Sequence, residues 1–455
     1  MASQSGLNAA GNHREMKSTM KSICGVLSAL FLFLACDGTV CRGGETGFLP
    51  SPDGQSVASV VRSSLEIPFG PEMISFRQTV SLRIRSMDGK EILTLQIKKA
   101  KELYQVAYGY LDLAWSPDSR MVAYRSGADL GVMDIATKTT TQLGHSAGSM
   151  RWFGSSQIVH VVNKGSVDRV SVTTGVSESL FRTNVPDEFH SSTSPFNNQL
   201  SPDCRWFVTM DGKTIIVVDL NKKAVVYRHE RAMRPVFCWW SDASDRCLIN
   251  GLADIKTGDA WPHDTGFLDV LYCFRSAIGQ FEDLTDKLRV LNGNYNATPR
   301  PDASSPVWFD DGNSFLVSGC VERRDRKSDQ SGYRVRHWIC HSAPWSTLCI
   351  QDTNGQGLVN PRLSPHGDFL MMNKENNEGS CDGDWFLSKV SSDARGNPQL
   401  SKAVNFLSSS SGDWFWSADG KGVMTFKNGR FRLQNLPYVT DDGSLHPAQM
   451  QNGPH

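Results

Sequence analysis

The sequence predicts an all-β fold, a single β-propeller built from four-stranded antiparallel blades. Three observations predict it: a turn motif that recurs along the chain, an apolar strand after each copy, and two further strand-like segments after that strand. Four-stranded units repeated around an axis form a propeller. Eight copies of the motif favour eight blades. Seven blades remain the alternative if the degenerate copy or a terminal copy does not form a full blade.

The recurring motif is a large residue followed by Ser-Pro-Asp-Gly or a relative of it. Clear copies begin at Ser51, Ser116, Ser201, Ser364 and Ser417, weaker copies at Ser241 and Phe309, and a degenerate copy at Phe153. Proline presets φ at the first central position, aspartate bonds to nearby backbone, and glycine accepts positive φ. Between apolar strands, this motif predicts a tight β-hairpin.

The segments around each turn supply the strands of a blade. In the second copy they are Met121–Tyr124, Gly131–Ile135 and Thr139–Leu143. Five copies carry a tryptophan at or next to the turn, where we expect it to pack between blades: Trp115, Trp152, Trp240, Trp308 and Trp416.

The last blade shows only three strand-like segments, over residues 414–416, 423–426 and 430–434. Its fourth strand comes either from Pro437–Thr440 or from the amino-terminal segment Thr39–Cys41. We favour the amino-terminal segment, because a closed ring leaves no long open sheet edge. Residues 441–455 lack a strand pattern and are predicted to be a flexible tail.

The order of these parts resembles a known repeat. A Trp-Ser-Pro-Asp-Gly turn, an apolar strand, an Asp-containing third strand and a closing Leu-Thr are similar to the TolB-type β-propeller repeat. The resemblance covers about residues 46–440. It implies the propeller fold, but the matching residues are structural, so it implies no particular activity. The separate amino-terminal domain of TolB itself has no counterpart here.

Composition and charge exclude some function classes. The chain has 455 residues with 47 Lys+Arg and 47 Asp+Glu, so its formal net charge is zero. This balance argues against a dedicated nucleic-acid-binding protein, which normally carries a basic surplus. Length alone suggests about three domains. The repeats instead indicate one propeller over residues 37–440.

The amino-terminal region predicts export. Residues 23–35 form an apolar run of 13 that follows Lys17 and Lys21, and a positive region before a short apolar core is the secretory pattern. The end of this run, Leu34-Ala35-Cys36, resembles a bacterial lipoprotein signal. The resemblance implies lipidation at Cys36 and a periplasmic or cell-envelope protein anchored to the membrane. Simple cleavage without lipidation and an uncleaved anchor are the alternatives for this signal region, residues 1–36.

One motif invites a catalytic interpretation. Residues 144–148 read Gly-His-Ser-Ala-Gly, the nucleophile-elbow pattern of α/β-hydrolases, with Ser146 at its centre. That chemistry needs the serine on a strained turn between a buried strand and a helix. Here the motif lies between the outer strand of one blade and the turn of the next. We therefore predict that Ser146 lies in an interblade linker and is not a nucleophile.

Cysteine and histidine clusters are the next candidates. The pairs Cys238 with Cys247 and Cys340 with Cys349 each flank a hairpin and are candidate disulfides, or alternatively small buried strand residues. His337 and His341 are weak metal-ligand candidates, since a strand directs both to one face and the intervening Cys340 to the other. We predict no metal site and no cofactor from this pattern alone.

Among exposed aromatic residues, Trp261 is the best candidate for contact with a ligand or partner, because it lies in a long insertion of the fifth blade.

No set of residues in the sequence identifies a catalytic centre. The favoured function is therefore a non-enzymatic cell-envelope propeller that binds a protein or glycan partner. The alternative is a propeller enzyme, a lyase or glycan-processing hydrolase, with its site in the central channel.

Overall fold

The chain folds as an eight-bladed β-propeller in the computed structural model. The structure describes residues 40–69, 72–99, 111–163, 165–182, 199–211, 214–229, 233–254, 267–292, 308–309, 312–322, 333–342, 345–350, 358–374, 384–395, 397–408, 413–427, 429–439 and 445–446. Within them, strands pair antiparallel in nine sheets: eight of three to five strands, which are the blades, and one two-stranded sheet near the carboxyl terminus. The predicted fold class and the count of eight are therefore confirmed.

The first four blades run from Val40 to His229. Their strands are β1 (Val40–Pro50), β2 (Ser56–Phe69), β3 (Glu72–Ser86) and β4 (Glu91–Lys99) in blade 1; β5 (Leu111–Trp115), β6 (Met121–Ser126), β7 (Asp129–Asp134) and β8 (Thr140–His145) in blade 2; β9 (Met150–Phe153), β10 (Gln157–Asn163), β11 (Ser166–Ser171) and β12 (Ser177–Phe181) in blade 3; and β13 (Trp206–Asp211), β14 (Thr214–Asp219) and β15 (Ala224–His229) in blade 4. Leu200 adds a single-residue bridge to Phe207 as the innermost strand of blade 4.

The second four blades run from Met233 to Asn435. Their strands are β16 (Met233–Trp240), β17 (Arg246–Asp254), β18 (Phe267–Arg275) and β19 (Gln280–Asp283) in blade 5; β20 (Ser314–Glu322), β21 (Tyr333–Ser342) and β22 (Trp345–Cys349) in blade 6; β23 (Leu358–Leu363), β24 (Phe369–Lys374), β25 (Trp385–Ser392), β26 (Pro398–Leu400) and β27 (Val404–Leu407) in blade 7; and β28 (Asp413–Trp416), β29 (Gly422–Lys427) and β30 (Arg430–Asn435) in blade 8. Trp308 bridges Phe315 as the innermost strand of blade 6.

A short helix follows blade 5. It is α1 (Thr285–Arg289), followed by a 3₁₀ turn over Val290–Asn292. Leu288 is buried and packs in the interface between blades 5 and 6. No helix in the described part of the chain is long and apolar enough to cross a membrane.

The chain divides into two compact units. The first comprises Met1–Phe48, Ser59–Ile84 and Thr94–Gly109, and its described residues bury Val60, Val80, Leu82 and Ile84. The second comprises Leu49–Ala58, Arg85–Leu93 and Tyr110–His455. Blades 2 to 8 lie entirely in the second unit.

The Ser-Pro-Asp-Gly motif forms the hairpin turn that its residues predict. In seven blades the first residue of the motif donates its backbone N–H to the carbonyl five residues later, at 2.8–3.0 Å, as Ser116 does to Met121. In blade 2 the Ser116 hydroxyl also donates to Asp118 at 2.6 Å. The fourth position is left-handed even without glycine, at φ 61° for Ser119 and 58° for Cys204. Only the degenerate copy at Phe153 lacks this pattern among the described turns.

The motif tryptophans join neighbouring blades. Trp115 donates its indole N–H to the carbonyl of Leu49 at 2.9 Å, and Trp152 donates to Ala114 at 2.9 Å. Each bond runs from the inner strand of one blade to the inner strand of the blade before it. Apolar clusters fill the same interfaces; between blades 4 and 5, for example, Ile215 packs with Phe274. The predicted packing of these tryptophans between blades is therefore confirmed at these positions.

The amino-terminal closure of the last blade is not what forms. Val40 and Cys41 belong to β1, which pairs in blade 1, so this segment adds no strand to blade 8. The other candidate, residues 437–440, contributes β31 (Tyr438–Val439), which pairs with β32 (Leu445–His446) inside the predicted tail. Blade 8 instead meets blade 1 through a contact between strands: Arg85 of β3 lies over the Phe426 ring of β29, 5.5 Å from the ring centroid.

Candidate functional site

A cleft between blades 3 and 4 is the candidate functional site. Its volume is about 110 Å³. The residues that line it come from four strands and two turns: Phe153, Val159, Arg169, Leu180, Cys204, Leu220, Asn221 and Lys223. Its floor is apolar, since Val159, Leu180 and Leu220 are buried in the core between the two blades. Its rim is polar and carries two cations.

The rim cations share one carboxylate across the blade boundary. Arg169 in β11 bonds Glu178 at 2.5 Å, and Lys223, in the turn before β15, bonds the other oxygen of Glu178 at 2.8 Å. Because both cations hydrogen-bond to the carboxylate, the pKa of Glu178 falls to about 2. Glu178 is therefore ionised at neutral pH, and its ion pairs with Arg169 and Lys223 link the two blades over the cleft.

A second carboxylate near the rim is arranged in the same way. Asp219 is buried at the end of β14 and pairs with Arg205 at 3.2 Å and Lys222 at 4.0 Å. Four cations thus share two carboxylates, and the exposed Asp203 beside Cys204 adds a third negative charge, so these residues carry one more positive charge than negative ones. The whole chain has no net charge, but this local surface is positive and favours an anionic group.

An exposed aromatic ring stands at one edge of the cleft. Phe153 is 41% exposed, and the guanidinium carbon of Arg169 lies 5.4 Å from its ring centroid. Trp152 and Trp115 make the same interblade hydrogen bond, so they are equivalent positions of the repeat. The residue after Trp115 is the motif serine, Ser116, and the residue after Trp152 is Phe153. Phe153 therefore takes the place of the motif serine in blade 3. An exposed large apolar residue beside a cation is a common feature of interaction hot spots.

The cysteine in the cleft is not a reactive thiol. Cys204 takes the glycine position of its turn, and its thiol donates to the Trp152 carbonyl at 3.5 Å. Burial raises the pKa of this thiol to about 12. The thiolate, which is the nucleophile, is therefore scarcely populated at neutral pH. Cys204 shapes the floor of the cleft and performs no covalent chemistry there.

Arg151 lies near the cleft, in the inner strand β9. Its Nε is buried and has no hydrogen-bond partner among the described residues. Burial lowers the pKa of Arg151, and the Cys204 thiol and the Asp242 carboxylate partly offset that effect. A guanidinium keeps its charge even when partly buried. This residue therefore adds to the positive potential at the inner side of blades 3 and 4.

The candidate residues from the sequence that the structure describes do not line the cleft. Cys36 and Trp261 are outside the described residues. His337 and His341 are buried in β21, and their Nδ1 atoms lie 2.6 Å from the Ser318 hydroxyl and 3.0 Å from the Ser314 hydroxyl. The two histidines are four residues apart in one strand, which places their Cα atoms about 13 Å apart. At that separation the pair alone does not form a metal site. Across the described segments, no group of three or more His, Cys, Asp and Glu side chains is placed to hold a metal.

The linker prediction for Ser146 is correct. Ser146 is buried between β8 and β9, and its hydroxyl donates to the carbonyl of Val161 at 3.1 Å. Its backbone N–H donates to Ala128 at 2.7 Å. The hydroxyl is thus committed to holding the linker against blade 3.

The candidate disulfides do not form. Cys238, Cys247 and Cys340 have free thiols, so neither candidate pair is bridged. Cys247 lies opposite Trp240 and not Cys238, and Cys340 lies opposite Thr347 and not Cys349. Each pair is therefore diagonal across its hairpin, where Cα atoms are about 7–8 Å apart, beyond the usual disulfide range. Cys238, Cys247 and Cys340 are small buried strand residues, the alternative that the sequence allowed, and Cys349 is half-buried.

Sequence reasoning missed the cleft because its residues are not close in the chain. Arg169, Glu178 and Lys223 occupy different strands and turns of two blades, and no local spacing links them. One signal was present. Phe153 replaces the serine of the repeat in the degenerate copy, and a large apolar residue in a turn position calls for an explanation.

Comparison with known proteins gives propeller structures and no family. No protein-family model matches the chain, and no curated protein matches it. The C-terminal WD40 domain of Sif2 is similar at 10% identity and a TM-score of 0.42, over 87% of this chain and 96% of that one. Hydrazine synthase of Kuenenia stuttgartiensis is similar at 12% identity and a TM-score of 0.40, over 73% and 99%.

An oligogalacturonate lyase in complex with manganese is similar at 9% identity and a TM-score of 0.38, over 70% of this chain and 86% of that one. The similar structures thus include a WD40 domain and two enzymes. At these identities and TM-scores the function must be argued from the residues of this chain itself.

Proposed function

We propose that this protein is a non-enzymatic β-propeller that binds a partner protein through the cleft between blades 3 and 4. The observation that carries the proposal is the exposed Phe153 ring beside Arg169 at the rim of an apolar cleft. Binding hot spots combine an aromatic or arginine anchor with a small desolvated pocket. The cleft offers both on one face of the propeller.

The size of the cleft favours a protein over a glycan or a small substrate. Sites for small molecules usually enclose about 300–1,000 Å³, whereas this cleft has about 110 Å³. That volume suits one apolar side chain of a partner. The surplus of positive charge around Arg169 and Lys223 favours an acidic residue beside that side chain. A glycan partner, which the sequence also allowed, is an alternative outcome of the test.

The proposal includes the cellular setting indicated by the sequence. The apolar run of residues 23–35 and the Leu-Ala-Cys sequence ending at Cys36 support an exported lipoprotein of the cell envelope, with a TolB-type repeat and a partner in the same compartment. The test is fractionation of cells expressing the Cys36→Ser variant. We expect the variant to move from the membrane to the soluble fraction, and an unchanged distribution would rule out the lipid anchor.

Binding is tested with variants of exposed residues. Purified protein is immobilised, and the envelope component that it retains from detergent-solubilised membranes is quantified. We expect Phe153→Ala and Arg169→Gln each to lower retention at least tenfold, as is typical of hot-spot residues. Ile278→Ala is the matched control, because Ile278 is also a large exposed apolar residue, at 57%, but lies in the turn between β18 and β19 of blade 5.

Two results would contradict the proposal. Equal retention by the Phe153→Ala variant and the Ile278→Ala control would show that the cleft is not the binding site. Retention abolished by treating the extract with glycosidases, but not with protease, would identify a glycan as the partner.

A further inference from the structure

Blade 8 has one strand fewer than the other blades in the described part of the chain. Its third strand, β30, pairs with β29, and no described strand pairs with its other edge. Five of the six residues of β30 are exposed. In blade 4, by contrast, the third strand β14 has five of its six residues buried, because β15 lies beside it. β30 is therefore an outer edge where the other blades carry a fourth strand.

The register of the hairpin shows which backbone groups point outward. Lys427 pairs with Arg430 across a two-residue connection, and the pairing continues without a bulge to Gly422 and Asn435. In a hairpin with a two-residue connection, the two residues that flank the turn are hydrogen-bonded to each other. Along the strands, hydrogen-bonded pairs then alternate with non-hydrogen-bonded pairs, whose backbone groups point away from the partner strand. Leu433 and Asn435 therefore direct their N–H and C=O groups toward the outer edge. An edge of this kind is a template for one more strand.

The side chains of β30 alternate in chemistry. Arg430 and Arg432 lie on one face and are exposed. On the same face Gln434 donates to the Phe406 carbonyl in β27 at 2.9 Å, so this face borders the outer strand of blade 7. The opposite face carries Leu433, which is 57% exposed. An added strand would thus place alternate residues beside arginines and beside leucine.

A second copy of this chain does not fit the edge. Antiparallel pairing of β30 with β30 of another copy would bring Arg430 and Arg432 of both chains onto one face of the new sheet. Like charges at neighbouring positions across strands are destabilising. Charge complementarity instead favours a strand with acidic side chains at alternate positions and apolar side chains between them.

We propose that the outer edge of β30 binds an extended segment of a partner protein, with alternating acidic and apolar residues, by β-strand addition. Backbone hydrogen bonds to Leu433 and Asn435 would supply affinity, and Arg430 and Arg432 would select acidic side chains. This proposal rests on the fold of blade 8 and is independent of the cleft between blades 3 and 4.

The probe is a fluorescein-labelled peptide of three Glu-Val repeats, with binding to the full chain measured by fluorescence anisotropy. The control peptide has the same composition in the order Glu-Glu-Glu-Val-Val-Val. We expect the alternating peptide to bind at least tenfold more tightly. The Leu433→Pro variant should lose at least tenfold in affinity, because proline removes an outward N–H and leaves the bonds to β29 in place.

Thr140→Pro is the matched control for that variant. Thr140 is exposed at the start of β8, the outer strand of blade 2, and pairs with Met133. We expect Thr140→Pro to bind the peptide like the wild type. Unfolding of both variants is followed by circular dichroism, so that loss of the fold is distinguished from loss of the edge.

A charge-reversed variant keeps the test decisive if Leu433→Pro does not fold. Arg430→Glu combined with Arg432→Glu should bind a Lys-Val repeat peptide in preference to the Glu-Val peptide. Equal binding of the alternating and block peptides, an unchanged preference after charge reversal, or a dimer of the wild type abolished by Leu433→Pro would each overturn the proposal. Failure of the cleft variants to alter partner retention would leave this result unaffected.

Discussion

The interblade hydrogen bond of the motif tryptophans can be measured with two variants of the same kind. Trp308 donates its indole N–H to the Trp239 carbonyl at 2.8 Å. Trp240 occupies the equivalent position in the preceding blade, but its indole nitrogen is buried without a partner among the described residues. Each of the two side chains is 8% exposed. Replacement by phenylalanine removes the same atoms at both sites and a hydrogen bond at only one.

The expected magnitudes follow from these contacts. Trp308→Phe creates a small cavity and also removes a buried donor from the Trp239 carbonyl, which together cost about 2–4 kcal/mol in the free energy of unfolding. Trp240→Phe creates a similar cavity but relieves a buried unsatisfied N–H, and the two effects largely cancel. We therefore expect Trp308→Phe to be more destabilising by about 2 kcal/mol.

The assay is urea unfolding followed by far-UV circular dichroism, with the wild type and both variants at the same protein concentration. The comparison is valid if the dependence of stability on urea is the same for all three proteins. Equal destabilisation by the two substitutions, or a larger effect at Trp240, would refute the argument that the indole hydrogen bond stabilises the blade interface.

Three further predictions concern single residues. Gly89→Ala should destabilise the protein by at least about 2 kcal/mol in the same assay. Gly89 has φ +88°, and an added Cβ would lie 2.8 Å from the Gly429 carbonyl oxygen. An unchanged free energy of unfolding would contradict the contact between blades 8 and 1. The pKa of Glu178 is lowered to about 2 from its ordinary 4.5, so its ion pairs should stabilise the fold above pH 5 and lose that contribution as pH falls toward 2. The difference in melting temperature between the wild type and Glu178→Gln measures this contribution. A difference at pH 2 as large as that at pH 7 would contradict the prediction. The Cys204 thiol, whose pKa is raised to about 12, should resist iodoacetamide at pH 8 in the folded protein, and rapid alkylation detected by mass spectrometry would show that it is not buried.

The repeat made most of the fold predictable. In seven blades the motif forms a backbone hydrogen bond from its first residue to the carbonyl five residues later. The positions of the strands on either side therefore follow from local chemistry. The predicted strand Met121–Tyr124, for instance, lies within β6. Helix α1 was not predicted, because Leu284 and Thr285 match the end of a blade and the helix has only five residues. Packing of Leu288 against blade 6 stabilises it, and that contact is not visible in the sequence.

The cleft was not predictable in the same way. A repeat fixes what the blades share, whereas a binding site depends on where they differ. Phe153 departs from the repeat and marks the site, but Arg169 and Lys223 are ordinary exposed cations until the two blades bring them to one carboxylate. The closure of blade 8 was predicted wrongly for a similar reason, since the choice of sheet for Val40 and Cys41 depends on nonlocal pairing.

The central claim is that a partner protein contacts this propeller at the cleft between blades 3 and 4, and site-specific photocrosslinking tests it most directly. Phe153 is replaced with p-benzoylphenylalanine in cells, and Ile278, an exposed apolar residue of blade 5, receives the same substitution as the control. The account predicts one discrete crosslinked protein species at position 153 that is absent at position 278. No crosslink at 153, or the same species at both positions, would contradict it.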